Sequence, residues 1–539
     1  PGLGVIADMD KKILEQVQAR VEEDEETQKF FQAYDDMDNM NWTPPTSLMK
    51  DWVRVRISTD PHDALKTMAN IFDTYNPKWE ILPLGEADMD RAEELGAWLE
   101  YHMQKANLAG EGSPFRKGLH NSGKFNRVIY EVDYLPYWLP KDKKSWSKEQ
   151  KANSLHGPFC VTAHDPRCIY YEIGKYGLKW ISNVSAMDGQ EIIDHWSIYE
   201  SDSKEGKQIK PGLAKIKSII DDDEEVDFVY MDFTSNEKRV VVAFKTSSDG
   251  INGFCDFEAS EAIPIMEADN DLGFIPYAVA SGDSDPLLHS MHVGGIWENQ
   301  NLIDTIIDSS VLRRAYFPLL QHTSLTGKDL DINYDGSQDV VELAQGEQVS
   351  TLVPPPIDAA MQQLANSNAS KMGQTAGIRN LGLSDIAGNV QFSTVQAQIQ
   401  LQLTALQPYK RTDEKALAQA ALIMFRWIEK AGTTEVAYIK APKKEGQAKG
   451  QPIVLGGDDF DPDVMQISCE LLSAAPTDKQ QLVNMYSTLK QAGAQIAWGE
   501  LLERLQLGNP EILKQGWLDE QLEGTALKTF VDQQAAKLQ

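Results

Sequence analysis

Hydrophobic and polar positions change their period several times along the chain. The first 40 residues predict an acidic helix running to DDMDNMN, read as a solvated face. From Ser47 to about Asn107 the spacing is helical, with ALKTMANIF and ADMDRAEELGAWLEYHMQKAN flanking an extended PKWEILPL. Between Arg127 and Phe257 the period drops to two. RVIYEVDYL, CIYYEI, KWISNV, FVYMDF and RVVVAF are rich in β-branched and aromatic residues and bounded by turn formers, which predicts strands. A helical layer before a strand-rich region makes the expected class α+β.

The helical period returns after IPYAVASGDSDP. A helix is expected over Gly294–Phe317, with Ile296, Ile303, Ile307 and Val311 on one stripe and Pro318 ending it. A polar stretch of turns and short strands follows over Leu319–Pro356, closed by Pro354, Pro355 and Pro356. A second helix, Ile357–Asn380, is rich in Ala, Ser, Asn and Gly, and Gly373 and Gly377 weaken it. After a non-helical SDIAGNVQFS, a very long helix is expected from Thr394 to Ala431, interrupted and kinked at Pro408. TEVAYIKA, PIVLGG and DVMQISCELL predict strands and turns. From Pro476 the chain turns helical again, opened by a Thr477/Gln480 capping pair.

Composition adds charge. With 51 Lys and Arg against 81 Asp and Glu, the net charge is −30 over 539 residues, in a chain whose 42% hydrophobic content is that of a folded protein. Proteins that grip nucleic acid through its phosphates carry a basic face. An acidic wall repels phosphates instead, although acidity also serves plain solubility. Four cysteines in so long a chain do not form a disulfide framework, which points to a reducing compartment. No apolar run approaches the roughly 20 residues of a membrane helix, and the first dozen residues carry charges in place of an apolar signal core. No membrane role is expected, and assembly in a cytoplasm is.

Chemistry-bearing patterns are few. Asp331, Asn333, Asp335, Gly336 and Glu342 match a calcium-loop spacing, with Asp339 at its ninth position. Gln338 stands where such loops place an aliphatic residue, and the flanks do not read as helices, so a polar turn between strands is the simpler reading. His156, Cys160, His164 and Cys168 recur every four residues, but Gly157-Pro158 and Asp165-Pro166 break any helix that would align them. Half-buried hairpin cysteines are expected there. Gly123-Lys124 and Gly327-Lys328 are followed by Phe125 and Asp329, so neither is a phosphate loop. The acidic run Asp221–Glu225 reads as a solvated loop. The chain is expected to be non-enzymatic and to use no cofactor.

The order of these elements resembles the portal proteins of tailed bacteriophages. IPYAVASGDSDP leading into WENQNLIDTIIDSSVLRRAYFP looks like that family's approach to its stem, and LSAAPTDKQQLVNMYSTLKQAGAQIAWGELLERLQLGNP like its C-terminal helices. The resemblance implies a wing over residues 1–290, a first stem helix over 291–317 and a clip over 318–356. It implies a second stem helix over 357–383, a tunnel loop over 384–393, a wing helix with returning strands over 394–475 and a crown over 476–539.

It further implies a ring of twelve copies at one capsid vertex of the virion, which passes double-stranded DNA during packaging and ejection. Ser384, Asp385, Gly388, Asn389 and Gln391 of the loop, with Lys371 and Arg379 of the second stem helix, would face the channel. Lys328, Asp331, Asp335, Asp339 and Glu342 of the clip would dock the terminase large subunit and later the head-completion or adaptor protein. The major capsid or scaffolding protein would be a further partner. Twelve such chains carry about −360, which suits a channel that repels its cargo. Two departures stand out. Pro408 sits inside the wing helix, and residues 384–393 hold no Lys or Arg. Two other readings stay open: a different head or neck connector, and a metal-dependent hydrolase built on the acidic clusters.

Overall fold

The structure is a computed structural model that describes residues 11–48, 53–73, 75–83, 89–108, 113–134, 158–175, 177–197, 204–222, 227–245, 262–316, 320–323, 345–346, 348–351, 359–375, 392–431, 435–440, 451–455 and 465–473. Within them the chain is a mixture of helices and antiparallel strands, the expected α+β class.

The N-terminal helix divides in two, α1 (Lys11–Glu23) and α2 (Glu25–Asp38). Neither is the solvated face expected. α1 buries Ile13, Leu14, Val17 and Val21, and α2 buries Phe31, Tyr34 and Met37, so the acidic residues between them form only the outer stripe of two amphipathic helices. Next come α3 (Asp60–Asp73), β1 (Tyr75–Pro83) and α4 (Met89–Leu108), in the order the sequence predicts. α5 (Pro114–Phe125) is an addition. Its signal was present: Ser113 accepts the Arg116 N–H at 3.2 Å as N-cap, and Pro114 holds the first helical position.

The strand-rich region holds two sheets. β2 (Arg127–Tyr134) lies between β3 (Phe159–Ala163) and β9 (Tyr277–Ser281). Between β3 and β9 the chain makes a second unit: β4 (Ile169–Gly174), β5 (Gly177–Asp188), α6 (Gly189–Ser197), α7 (Lys204–Asp222), β6 (Asp227–Ser235), β7 (Lys238–Lys245) and β8 (Ala262–Asp269). Its five strands pair in sequence order, β4-β5-β6-β7-β8. The two helices interrupt what the sequence reads as continuous strand territory.

These helices explain why β6 and β7 are apolar on both faces. Val229, Met231, Phe233, Val240, Val242 and Phe244 point to α1, while Phe228, Tyr230, Val241 and Ala243 point to α6 and α7.

The second half begins with α8 (His289–Val293). Gly295, at φ +57°, then turns the chain into α9 (Ile296–Tyr316), which therefore starts two residues later than expected. β10 (Leu320–Thr323) and β11 (Gln348–Thr351) pair antiparallel, α10 (Ala359–Thr375) follows, and α11 runs unbroken from Phe392 to Ala431. Pro408 does not interrupt α11, and Gly373 does not end α10. β12 (Glu435–Lys440) pairs with β13 (Gln451–Leu455), and β14 (Met465–Ser473) returns to pair with β1, Trp79 facing Cys469. α11 is the axis of the main core: Ala416, Leu417, Ala420, Ala421, Met424, Phe425, Trp427 and Ile428 are all buried, and Trp427 donates its indole N–H to the Val132 carbonyl at 2.6 Å.

Polar groups fasten the five-stranded unit to this core. The short link from β3 to β4 carries Asp165 and Arg167. Arg167 pairs with Asp165 at 2.7 Å and reaches Asp35 of α2. Asp35 also binds Lys124 of α5, whose ammonium continues to Asp38 at 2.9 Å. Beside this link His164 Nε2 lies 2.7 Å from Glu131 of β2, and Arg239 binds Asp232 across β6 and β7.

Candidate functional site

α9 and α10 pack against each other, and the chain between them is drawn together at its base by the β10–β11 ribbon, Leu320 facing Thr351 and Thr323 facing Gln348. The result is a helical hairpin whose two arms are joined across a two-stranded ribbon. At about 1.5 Å per residue, α9 is roughly 32 Å long.

The expected apolar stripe is not what seats α9. Ile303 is buried, but Ile296 and Ile307 are half-buried and Val311 is 48% exposed. The deepest stripe is polar, at Asn301, Thr305 and Ser309, with Trp297 at its head. It faces residues 53–59, which run alongside in an extended strap. The Arg54 N–H donates to Ser309 Oγ at 3.1 Å, Arg56 N–H to Thr305 Oγ1 at 3.0 Å and Ser58 N–H to Asn301 Oδ1 at 2.8 Å. Thr305 Oγ1 returns a bond to the Arg56 carbonyl at 3.3 Å, and the Trp297 indole N–H reaches the Ser58 carbonyl at 3.1 Å. Arg56 also pairs with Asp308.

Geometry makes this ladder regular. Two strap residues advance about 6.6 Å, and four helix residues advance about 6.0 Å. Alternate amides of the strap therefore meet every fourth side chain of the helix. Sequence reasoning missed these residues because Asn, Thr and Ser at four-residue spacing look like a solvent face. The usable signal was VRVRIS, an alternating segment with no strand partner of its own.

α10 is thinly attached. It buries Ala365, Asn368 and Met372 against its neighbours, while Gln362, Gln363, Asn366, Ser367 and Lys371 are exposed and Leu364 is half-exposed. Lys371 is the sole charged residue of the helix. Its outward surface is otherwise amide, hydroxyl and methyl. That differs from the acidic face that the overall charge suggests, since the negative charge of the chain lies elsewhere.

Of the residues expected to face a channel or dock a partner, Lys371 is the one among the described residues. It lies on α10, one turn before the end. Arg379, Ser384, Asp385, Gly388, Asn389 and Gln391 lie outside the described residues, as do Lys328, Asp331, Asp335, Asp339 and Glu342 and the helices expected after Pro476. Cys160 and Cys168 are half-buried, as expected, and neither is in a disulfide; burial pushes the Cys160 thiol up. Among the described residues, no three His, Cys, Asp or Glu side chains gather into a metal-binding group, and no helix is long and apolar enough to cross a membrane.

The fold and this site define a mixed α+β chain whose distinguishing part is a helical hairpin, one arm seated on a strap and the other largely exposed, followed by a 40-residue helix. No protein-family model and no curated protein matches the sequence.

Proposed function

We propose that the chain is the subunit of a phage-type portal, a ring at one capsid vertex through which double-stranded DNA passes. One observation carries the reading: α9 and α10 pack as a helical pair, the chain between them is crossed by the β10–β11 ribbon, and the long α11 lies next in the chain.

Three further features support it. The pair leaves apolar side chains uncovered in a single copy, Val311 and Leu364 among them. Neighbouring copies closing into a circle would cover such positions, as oligomer interfaces do. The exposed amides and hydroxyls of α10 would offer DNA neutral contacts without a cationic grip on its phosphates, and the −30 charge of each chain would discourage adhesion elsewhere. The strap fixes the stem to the wing through five hydrogen bonds, so force on the stem would reach the core directly. In this reading the chain between α9 and α10 docks the packaging ATPase and then the adaptor, and the virion is where the protein resides.

The test is end-on electron microscopy of the purified full chain. Ring-shaped class averages with a central hole are expected, twelve-fold in the simplest case. Monomers alone at micromolar concentration would overturn the proposal.

A further inference from the structure

The middle of α11 contains a carboxyl group in an unusual position. Asp413 is fully buried, with no solvent exposure. Its Oδ1 accepts a hydrogen bond from the Tyr130 hydroxyl of β2 at 2.7 Å, and Tyr130 is itself fully buried. Its Oδ2 has no hydrogen-bond partner among the described residues.

The surroundings leave little room to relax. α5 meets the pair with Gly118, where a Cβ would overlap the Tyr130 hydroxyl and lie 2.8 Å from Asp413 Oδ1. β14 contributes Cys469, whose thiol burial pushes well up and keeps neutral. On α11 itself, Lys410 is engaged by Glu414 at 3.3 Å, and Glu414 also accepts the Leu471 N–H at 2.8 Å. Among the described residues, Tyr130, Cys469, Lys410 and Glu414 are the titratable groups around the carboxyl, and Lys410 pairs with the neighbouring Glu414.

Two further polar ties flank the site. Tyr409 donates to the Asp285 carbonyl at 2.9 Å, and Thr412 Oγ1 lies 3.2 Å from Asn126 Oδ1. Asp413 is the member of this set that carries a removable proton. A neutral carboxyl in a dry site costs little more than any other polar group, whereas a carboxylate with one oxygen unpaired costs far more.

We propose that Asp413 is a proton-dependent pin: neutral, it holds α11 against β2 and α5, and on giving its proton to solvent it loosens that seam. The direction agrees with its electrostatics. Burial, with Glu414 adding to it and the Tyr130 bond opposing, pushes the Asp413 carboxyl up to about 7. For an acid raised on folding, the folded form binds more protons than the unfolded chain. Its stabilising contribution is complete below about pH 4 and is lost as pH climbs to about 7 and beyond.

Hydrogen–deuterium exchange on the full chain tests this, reading peptides that cover residues 127–134 and 406–420. Comparing wild type with Asp413→Asn at each pH cancels the intrinsic pH dependence of exchange. From pH 6 to 8, wild-type opening should rise about tenfold relative to the variant. Parallel profiles would overturn the proposal. Tyr130→Phe keeps the ring but removes a donor that favours the ionised form, so it should move the midpoint upward; an unmoved or lowered midpoint counts against the pin. Infrared spectra of wild type need no variant to fold. A protonated carboxyl band at pH 6 that disappears by pH 9 is expected, and its absence at pH 6 would overturn the assignment.

Discussion

Lys124 shows how much a single side chain decides in this molecule. It is buried at the end of α5 between Asp35 and Asp38 of α2, and Arg167 approaches Asp35 from the opposite side. Burial alone would raise the Asp38 carboxyl. Hydrogen bonds from His120 and Lys124 overcome that and hold it well below the usual carboxylate range. A lowered folded value means stability present above the ordinary carboxylate pKa and lost as pH falls below about 4. Lys124→Ala would leave the buried Asp38 carboxylate without its lysine and Asp35 with Arg167 alone. We expect a loss of about 3–5 kcal/mol, read as a large drop in the denaturation midpoint of the full chain. A loss under about 1 kcal/mol would mean that water, and not Lys124, compensates these acids. None of this was legible in the sequence, where DDMDNMN reads as a solvated run. The partners come from residues 124 and 167, and only packing reveals that the run has a buried side.

At the scale of elements, the strap and α9 carry the clearest prediction. Thr305→Val keeps the shape of the side chain but removes the acceptor for the Arg56 amide, and Asn301→Leu does the same for Ser58. Each should cost about 1–3 kcal/mol, because a donor is left unsatisfied. Ile303→Val, on the stripe the sequence favours, should cost about 0.5–1.5 kcal/mol. The ordering is the point: if the isoleucine substitution proves the more damaging, the polar ladder is not what seats the helix. Amide exchange at Arg54, Arg56 and Ser58 should accelerate in the two polar variants alone.

Most elements were legible locally. The β-branched runs at β2, β4, β5, β6 and β7 and the helical spacing of α3, α4, α9, α10 and α11 fall where the periods place them. Pro408 misled because a proline removes one amide bond, and one bond is small beside the burial of a helix that carries Leu417, Met424 and Trp427. α6 was missed because it is only nine residues long, and α7, at 19 residues, because it is set among strands and carries Pro211.

Considered whole, the chain has a net charge of −30, a core organised on α11 and one helical hairpin whose second arm, α10, is largely exposed. If copies close into a ring through that hairpin, a charge at its apolar positions should prevent closure. Leu364, half-exposed, is the best such position, since its replacement disturbs little inside the subunit. Leu364→Glu should leave the circular dichroism spectrum unchanged and shift sedimentation from ring to monomer. Rings that persist would remove this face from the interface.

Some of this was determined by sequence alone: the alternation of periods, the α+β class, the place of the paired helices and the long helix, and the net charge of −30. All of these are local or additive, so neighbouring residues suffice to specify them. Tertiary structure decided the rest. It joined β1 to β14 from distant parts of the chain, and it buried a polar stripe of α9 where an apolar one was expected. It also turned Asp413 from an ordinary helix acid into a buried group with an unpaired oxygen. Desolvation and hydrogen-bond satisfaction depend on what arrives from elsewhere in the chain, and no local pattern records that.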